Sequence, residues 1–550
     1  MNSGKETRTK KLNIWLPLLF SLVLVGGMYV GTKLQSSSVV NVRFEGDHMP
    51  SNIGHGRIEE LIRYIEARYV DEVNGDELVE KAINALLGEL DPHSSYIPAR
   101  ELKEVNEQLE GNFEGVGIEF MVLEDTILVV SPIAGGPSEA VGIMAGDKII
   151  EIMDTIVIGK GLAVRDIVSK LRGKKGSKVK LGIQREGEAE LIQFTVTRDR
   201  IPMNSVDVSY MLDAKTGYIK INRFSASTYK EFMQGLEELV EKYAMKDLVI
   251  DLRQNPGGYL QEATNLLSQL FDEKGKLLVY TQGKSVHRNE YKTTGKNFYQ
   301  IGKIAILTDG GSASASEIVA GAIQDWDRGV IVGRRTFGKG LVQEQYDLKD
   351  GAALRLTIAR YYTPSGRCIQ KSYNDKEAYD HDLLDRYDSG ELYSVDSIHV
   401  ADSTKYFTSG GRVVFGGGGI IPDVFVPLDT IQLNKYFIAL RQHVPEFVFR
   451  EYEKNKGELE LSLKDFSRNY QIDDKMINAF IQYTETKKIK AQPEELNKIR
   501  PTLKRLMKAR LAKHLFGDIG FYTIWNRNDD VVKEAMQVLH KDDPISASKE

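Results

Sequence analysis

Cysteine is almost missing. The single residue, Cys368, excludes an intrachain disulfide and any cysteine-rich zinc site, and says little about redox compartment. The nine histidines never fall in an HxxxH or HxH pattern. No metal site is therefore expected. Positive charge is not in excess: 73 Lys and Arg stand against 78 Asp and Glu, for a net charge of −5. That balance gives no reason to expect a nucleic-acid partner. A phosphate loop is also lacking, because "GGSASASE" carries no GK[ST]. No cofactor is expected.

What is present fits folded protein, with 41% hydrophobic and 27% charged residues. A chain of 550 residues exceeds one ordinary core and should form several domains. Lys5, Arg8, Lys10 and Lys11 precede "LNIWLPLLFSLVLVGGMYVGT", Leu12–Thr32, which has no charge. As a helix this run would be about 31 Å long, close to a bilayer core. The basic flank should remain cytoplasmic. Residues 1–35 are thus expected to be a cytoplasmic stub and an uncleaved membrane anchor. A cleaved signal peptide is the competing reading, but "VGTKLQSSS" offers no A-x-A site.

Residues 56–108 look helical. "IEELIRYIEARYV" has apolar residues at helical spacing, and "DELVEKAINALLGEL" follows with Asp76 as a candidate cap. Residues 113–201 change to short strands and glycine turns. "GVGIEFMV", "TILVVSPI", "KVKLGIQR" and "LIQFTVTR" read as strands, and "AVRDIVSKLRG" as a helix. Residues 204–430 alternate strands ("TGYIKINRF", "LVIDLR", "KIAILT", "GVIVG") with helices ("YLQEATNLLSQLF", "SASEIVAGAIQDW"). That alternation predicts an α/β layered core with a mainly parallel sheet. Residues 369–405 are polar and acidic and read as an inserted surface loop. Residues 431–550 read as a charged helical region without chemistry.

In a parallel sheet the loops after strand C-termini share one edge, where sites form. "DLRQNPGG" (251–258) and "TDGGSASAS" (308–316) are two such loops. If their strands are neighbours, the loops face one cleft. Gly257 and Gly258 permit close backbone approach. A serine at the following helix start gains that helix's positive field, and nearby N–H groups make an oxyanion hole plausible. The plain alternative is a helix cap. A serine needs a base. No histidine lies within 25 residues of Ser314, and a distant one such as His287 stays open. Lys339 in "RRTFGKGLVQ" is the nearer candidate; it must be neutral, through burial or neighbouring positive charge. Asp325 lies three helical turns from Ser314 and should cap or pair, with Arg328 as a candidate partner.

"GGSASASEIVAGAIQDWDRGVIVGRRTFGKGLVQ" resembles the carboxyl-terminal processing peptidases, or tail-specific proteases, over about residues 56–430. The 25 residues from Ser314 to Lys339, and the four to Gln343, match that family's Ser–Lys pair and supporting Gln. The resemblance implies Ser314 as nucleophile, Lys339 as base and Gln343 as its orienter. It implies oxyanion donors from Gly257 or Gly258 together with Ala315, and a crotonase-like core. The 113–201 module resembles the family's PDZ domain. Gly115, Val116, Gly117, Ile118 and Phe120 would bind a peptide's free C-terminus, and Arg172 would link that binding to catalysis. The implied activity is a serine endopeptidase cutting near substrate C-termini. With the anchor, the implied setting is the bacterial inner membrane, single-pass, with the catalytic region in the periplasm. A homo-oligomer or adaptor is left open. The rivals are a non-catalytic PDZ adaptor and a different enzyme on a crotonase-like core.

Overall fold

The computed structural model describes residues 56–400, 402–455 and 461–547. The run Leu12–Thr32, and with it the expected anchor, lies outside them. Among the described residues no helix is long and apolar enough to cross a membrane. The 34-residue helical segment Pro493–Asn526 is broken at Gly517 (φ 69°, ψ −159°), and Lys498, Arg500, Lys504, Arg505, Lys508 and Arg510 interrupt the apolar positions before the break. The inner-membrane, single-pass placement is corrected accordingly.

Two compact units divide between Lys81 and Ala82. The first contains the helix Arg57–Arg68. The helix Gly75–Gly88 crosses the division. Asp76 falls inside its first turn, and Asn74 Oδ1 instead accepts from the Glu77 amide at 3.4 Å.

All remaining elements belong to the second unit. Strands Ile118–Leu123, Thr126–Pro132, Lys148–Ile152, Lys178–Gln184 and Ile192–Thr197 form an antiparallel sheet in that order. Ile118–Leu123 is an edge strand. "KIIEI", Lys148–Ile152, is a further strand of this sheet, and the turn after it is made by Met153 and Asp154 at φ 52° and 57° rather than by glycine.

The core sheet runs β1 (Val206–Met211), β2 (Thr216–Ile221), β3 (Asp247–Asp251), β4 (Ile304–Thr308), β5 (Val330–Gly333) and β6 (Val424–Phe425). β1 pairs antiparallel with β2, and every later pair is parallel. All residues of β3, β4 and β5 are buried, as expected for strands covered on both faces. Helices α1 (Thr228–Glu237), α2 (Leu260–Ser268) and α3 (Ala315–Asp325) cover one face, with Phe232, Leu266 and Val319 packed with Ile250 and Ile306. Among the described residues the four other sheets are antiparallel, so antiparallel pairing prevails there and the parallel expectation holds for this layer alone. In one of them the long strand Ala353–Tyr362 pairs with Ser95–Ile97, Leu277–Gln282 and Leu341–Asp347.

Residues 369–405 are not a surface loop. They contain α4 (Lys376–Asp388), capped by Asp375, which accepts from the Ala378 amide at 3.0 Å. Ile369, Lys371, Tyr379, Arg386 and Glu391 are buried. The acidity misled because the acids pair inward: Glu391 takes Arg335 at 2.6 Å and Asp382 takes Lys371 at 3.0 Å. The tail supplies a separate helical core and then α5 (Asp530–His540), which covers the second face of the core sheet.

Candidate active site

β3 and β4 are neighbours, Leu248 to Ile304 through Asp251 to Leu307. The loops after them therefore meet, and the Ala313 amide donates to the Asn255 carbonyl at 3.0 Å. Three serines lie in the second loop. Ser312 and Ser316 are fully buried and point inward, donating to the carbonyls of Leu252 (2.8 Å) and Asn255 (3.0 Å). Ser314 is half-buried and opens on a cleft of about 620 Å³. It is the N-cap of α3 with φ 55° and ψ −114°, a conformation that L side chains adopt at a cost. The turn thrusts its side chain outward over the helix's positive end.

Lys339 lines the same cleft, as do Gln343, Gly257, Gly258 and Ala315. Its Nζ donates to Gln343 Oε1 at 3.1 Å. Gln343 in turn donates to the His93 carbonyl. Burial lowers the Lys339 pKa from its ordinary value, and the Arg355 guanidinium lowers it further; Glu317 and Asp91 oppose. Among the described residues no hydrogen bond joins Ser314 Oγ to Lys339 Nζ.

Glu317, which the sequence reading missed, ties the two segments together. Its carboxylate is fully buried in the first turn of α3. It accepts from Ser314 N and Lys339 N at 2.8 Å, Gly338 N at 2.7 Å and Thr336 Oγ1 at 2.6 Å. Burial pushes its pKa up to about 7, against the pull of those four donors. The signal was present as Glu three residues after a serine cap.

The two glycines differ. The Gly257 amide is spent on Asn255 Oδ1 at 2.9 Å, and the residue is buried. Gly258 is exposed, and its amide and that of Ala315 meet no acceptor among the described residues. Asp325 pairs with Arg367 at 2.7 Å rather than with Arg328, whose guanidinium caps the carbonyls of Leu270, Ile301 and Gly302. His287 is exposed and lines no part of the cleft. His93, unremarked in the sequence, does come close. Its Nε2 is 2.6 Å from Tyr379 Oη, and burial with the Lys339 charge lowers its pKa to about 4.

Gly115, Val116, Gly117, Ile118, Phe120 and Arg172 line a second, smaller pocket of about 130 Å³. It lies between the edge strand Ile118–Leu123 and the helix Val164–Leu171, which contributes Val168 and Leu171. The Arg172 guanidinium stacks over Phe113, 4.9 Å from its centroid, and pairs with buried Glu107 at 2.8 Å. Glu107 belongs to the helix Ala99–Glu110, whose Asn106 and Leu109 line the catalytic cleft.

A serine on a strained turn, a half-buried lysine and free amides in one cleft, beside an edge-strand peptide groove, define a serine-type hydrolase with a peptide-reading module. The family model for peptidase family S41 matches residues 215–376, and that for the PDZ domain matches 115–197. A family of unknown function matches 436–517. The carboxy-terminal processing protease CtpB of Bacillus subtilis is 36% identical over 319 residues, 57% of this chain and 65% of its own length. The carboxy-terminal-processing protease of Bartonella bacilliformis is 33% identical over 403 residues, 72% of this chain and 89% of its own length. The chain belongs to the carboxy-terminal processing proteases of peptidase family S41 and is a serine protease with a PDZ domain.

Proposed function

We propose that this protease cuts protein substrates near their C-termini with a Ser314–Lys339 dyad on a crotonase-like core. The supporting observation is that Ser314, Lys339 and the two free amides open on one cleft, while both neighbouring serines are locked inward. Ser314 Oγ attacks the scissile carbonyl and its proton passes to neutral Lys339 Nζ. The oxyanion takes the amides of Gly258 and Ala315, with Gly257 shaping the turn. The Lys339 ammonium returns the proton to the leaving amine. Water, with Lys339 again as base, then hydrolyses the acyl-enzyme. Gln343 orients the Lys339 amine.

The substrate's tail adds to the edge strand Ile118–Leu123, and amides of Gly115, Val116 and Gly117 hold its carboxylate. Ile118 and Phe120 take an apolar last side chain. Arg172, through Glu107 and the helix Ala99–Glu110, connects this pocket to the cleft. The corresponding domains are 56–108, 113–201, 204–430 and 431–550.

Ser314→Ala and Lys339→Ala should each abolish peptide cleavage with the fold intact. The double variant should be no worse than either single, because the pair acts as a unit. Substantial cleavage by either single variant, measured as kcat/KM on one peptide, overturns the dyad.

A further inference from the structure

The segment 335–340 leads into the lysine of the proposed dyad, and its backbone is held from two sides. On one side the amides of Gly338 and Lys339 donate to Glu317. On the other side the partners come from the inserted residues 369–405. Arg386 on α4 donates to three successive carbonyls: Arg335 at 3.2 Å, Thr336 at 2.9 Å and Phe337 at 3.3 Å. The Lys371 amide donates to the Gly338 carbonyl at 2.9 Å, and Gln370 Oε1 accepts from the Gly340 amide at 2.7 Å. The same helix also touches the nucleophile's loop, where a Cβ on Gly310 would sit 2.8 Å from Leu383 Cδ2.

We infer that Arg386 is a positioning residue for Lys339, and that the inserted segment is a working part of the catalytic centre. This rests on the Ser–Lys reading above. Arg386 is only 3% exposed. Burying a guanidinium is costly unless it is paired, so its place implies a return. Asp382, at 3.0 Å, supplies the ion pair. Glu391 lies 3.9 Å away and is itself held by Arg335 at 2.6 Å. Lys371 is the remaining cation of the cluster, paired with Asp382. The two Nη atoms are spent on the three carbonyls and Asp382, while the buried Nε makes no hydrogen bond and faces Glu391 at 3.9 Å. A planar fork fixes those peptide planes as a point charge cannot. With the Phe337 carbonyl turned toward Arg386, the next amide, that of Gly338, faces Glu317, and the Thr336 and Phe337 amides donate to the Ile420 and Ser312 carbonyls at 3.1 and 3.0 Å. Gly338 then takes φ 90°, and Lys339 is presented to the cleft.

Without Arg386 the turn can relax and water can reach Lys339 Nζ. The charged groups that face Lys339, namely Arg355, Glu317 and Asp91, stay in place. His93 faces it as a neutral ring, and Gln343 still accepts from it. A change in the base's titration would therefore report its solvation.

The test uses the full chain with Arg386→Ala and Arg386→Lys. It measures kcat, KM, the pH profile of kcat/KM, and thermal melts. Arg386→Ala should lower kcat by about tenfold or more with KM within about threefold. The rising limb of its profile should move to higher pH. Arg386→Lys should fall between, and added methylguanidinium should restore part of the alanine variant's rate and return the limb toward wild type. A folded alanine variant with unchanged kcat and an unmoved limb overturns the proposal. So does a loss that merely tracks the folded fraction while the limb stays put. If Arg386→Ala does not fold, Arg386→Lys carries the same test: an unmoved limb with unchanged kcat rejects the idea. Ser314→Ala and Lys339→Ala assayed alongside separate the two readings, because residual cleavage in either breaks the dyad and not the clamp.

Discussion

Two carboxyl oxygens of Glu317 serve four donors, so charge and shape both matter there. A Gln at 317 keeps the shape but turns an NH2 toward donors. Glu317→Gln should lower kcat by about tenfold or more, leaving buried amides unpaired. The carboxyl's pKa of about 7 in the fold lies above its ordinary 4.5. Between those values the folded chain holds a proton that the unfolded chain has released. Stability should therefore fall as pH rises from about 4.5 to about 7, by at most about 3 kcal/mol. Denaturant titrations across that window check it: the wild type should show the slope, and Glu317→Gln should lose this contribution. The glycines make a second residue-scale prediction. A Cβ on Gly258 would sit 2.0 Å from the Phe224 carbonyl oxygen at φ 143°. Gly258→Ala should displace the loop and abolish cleavage. At Gly257 the Cβ would meet Ser314 Cβ and Ala315 N at 2.8 Å, so Gly257→Ala should depress activity more than it lowers the melting temperature.

In the proposed reading, the helix Ala99–Glu110 links the peptide pocket to the cleft. It gives Glu107 to the peptide pocket and Asn106 and Leu109 to the cleft. Arg172→Ala should depress cleavage of peptides that carry a free tail, and change little for those that do not. In the proposed mode the pocket's backbone amides would make charge-assisted bonds to a carboxylate, and such bonds are costly to leave unmade. Amidating the peptide's C-terminus should thus cut cleavage about tenfold or more, the effect of roughly 1.4 kcal/mol. The check is kcat/KM for free and amidated forms of one peptide. Equal rates on the wild type would mean that the module does not read the carboxylate.

Across the whole molecule, the C-terminal tail supports the catalytic core from behind. Val531, Val532, Ala535, Val538 and Leu539 of α5 cover Tyr218, Val249, Ala305 and Leu307. Asp529 caps α5 and forms a two-pronged pair with Arg253, both bonds 2.9 Å. Arg253 also grips Asp251 at the end of β3, immediately before the loop of Gly257 and Gly258. Asp529→Ala should cost about 2 kcal/mol, from the lost cap and from Arg253 Nη1 left without its acceptor while Asp251 keeps the other side of the guanidinium. Chemical denaturation measures it. A chain ending at residue 430 should lose solubility, because one apolar face of the sheet would be bare.

Local pattern was enough for much of this. Continuous apolar runs marked β3, β4 and β5, since strands buried on both faces need no polar side. Two glycine-bearing loops after such strands marked the cleft, and the resemblance to the processing peptidases, carried by the 25-residue spacing, implied Ser314 and Lys339. What local pattern does not contain is the partner of a charge. Asp325 took Arg367, far along the chain, in place of nearby Arg328. The acids of 369–405 looked solvated because Arg335 and Lys371, which they neutralise, belong to other segments or turn inward with them. Arg386, His93 and the far partners of Glu317 became visible only once the fold set them against the lysine's loop, because buried polar groups are satisfied by whichever chain is nearest in space. The sequence by itself determined the buried strands and the two loops that follow them. The tertiary structure decided which backbone groups were already spent, which amides stayed free, and what holds the lysine in place.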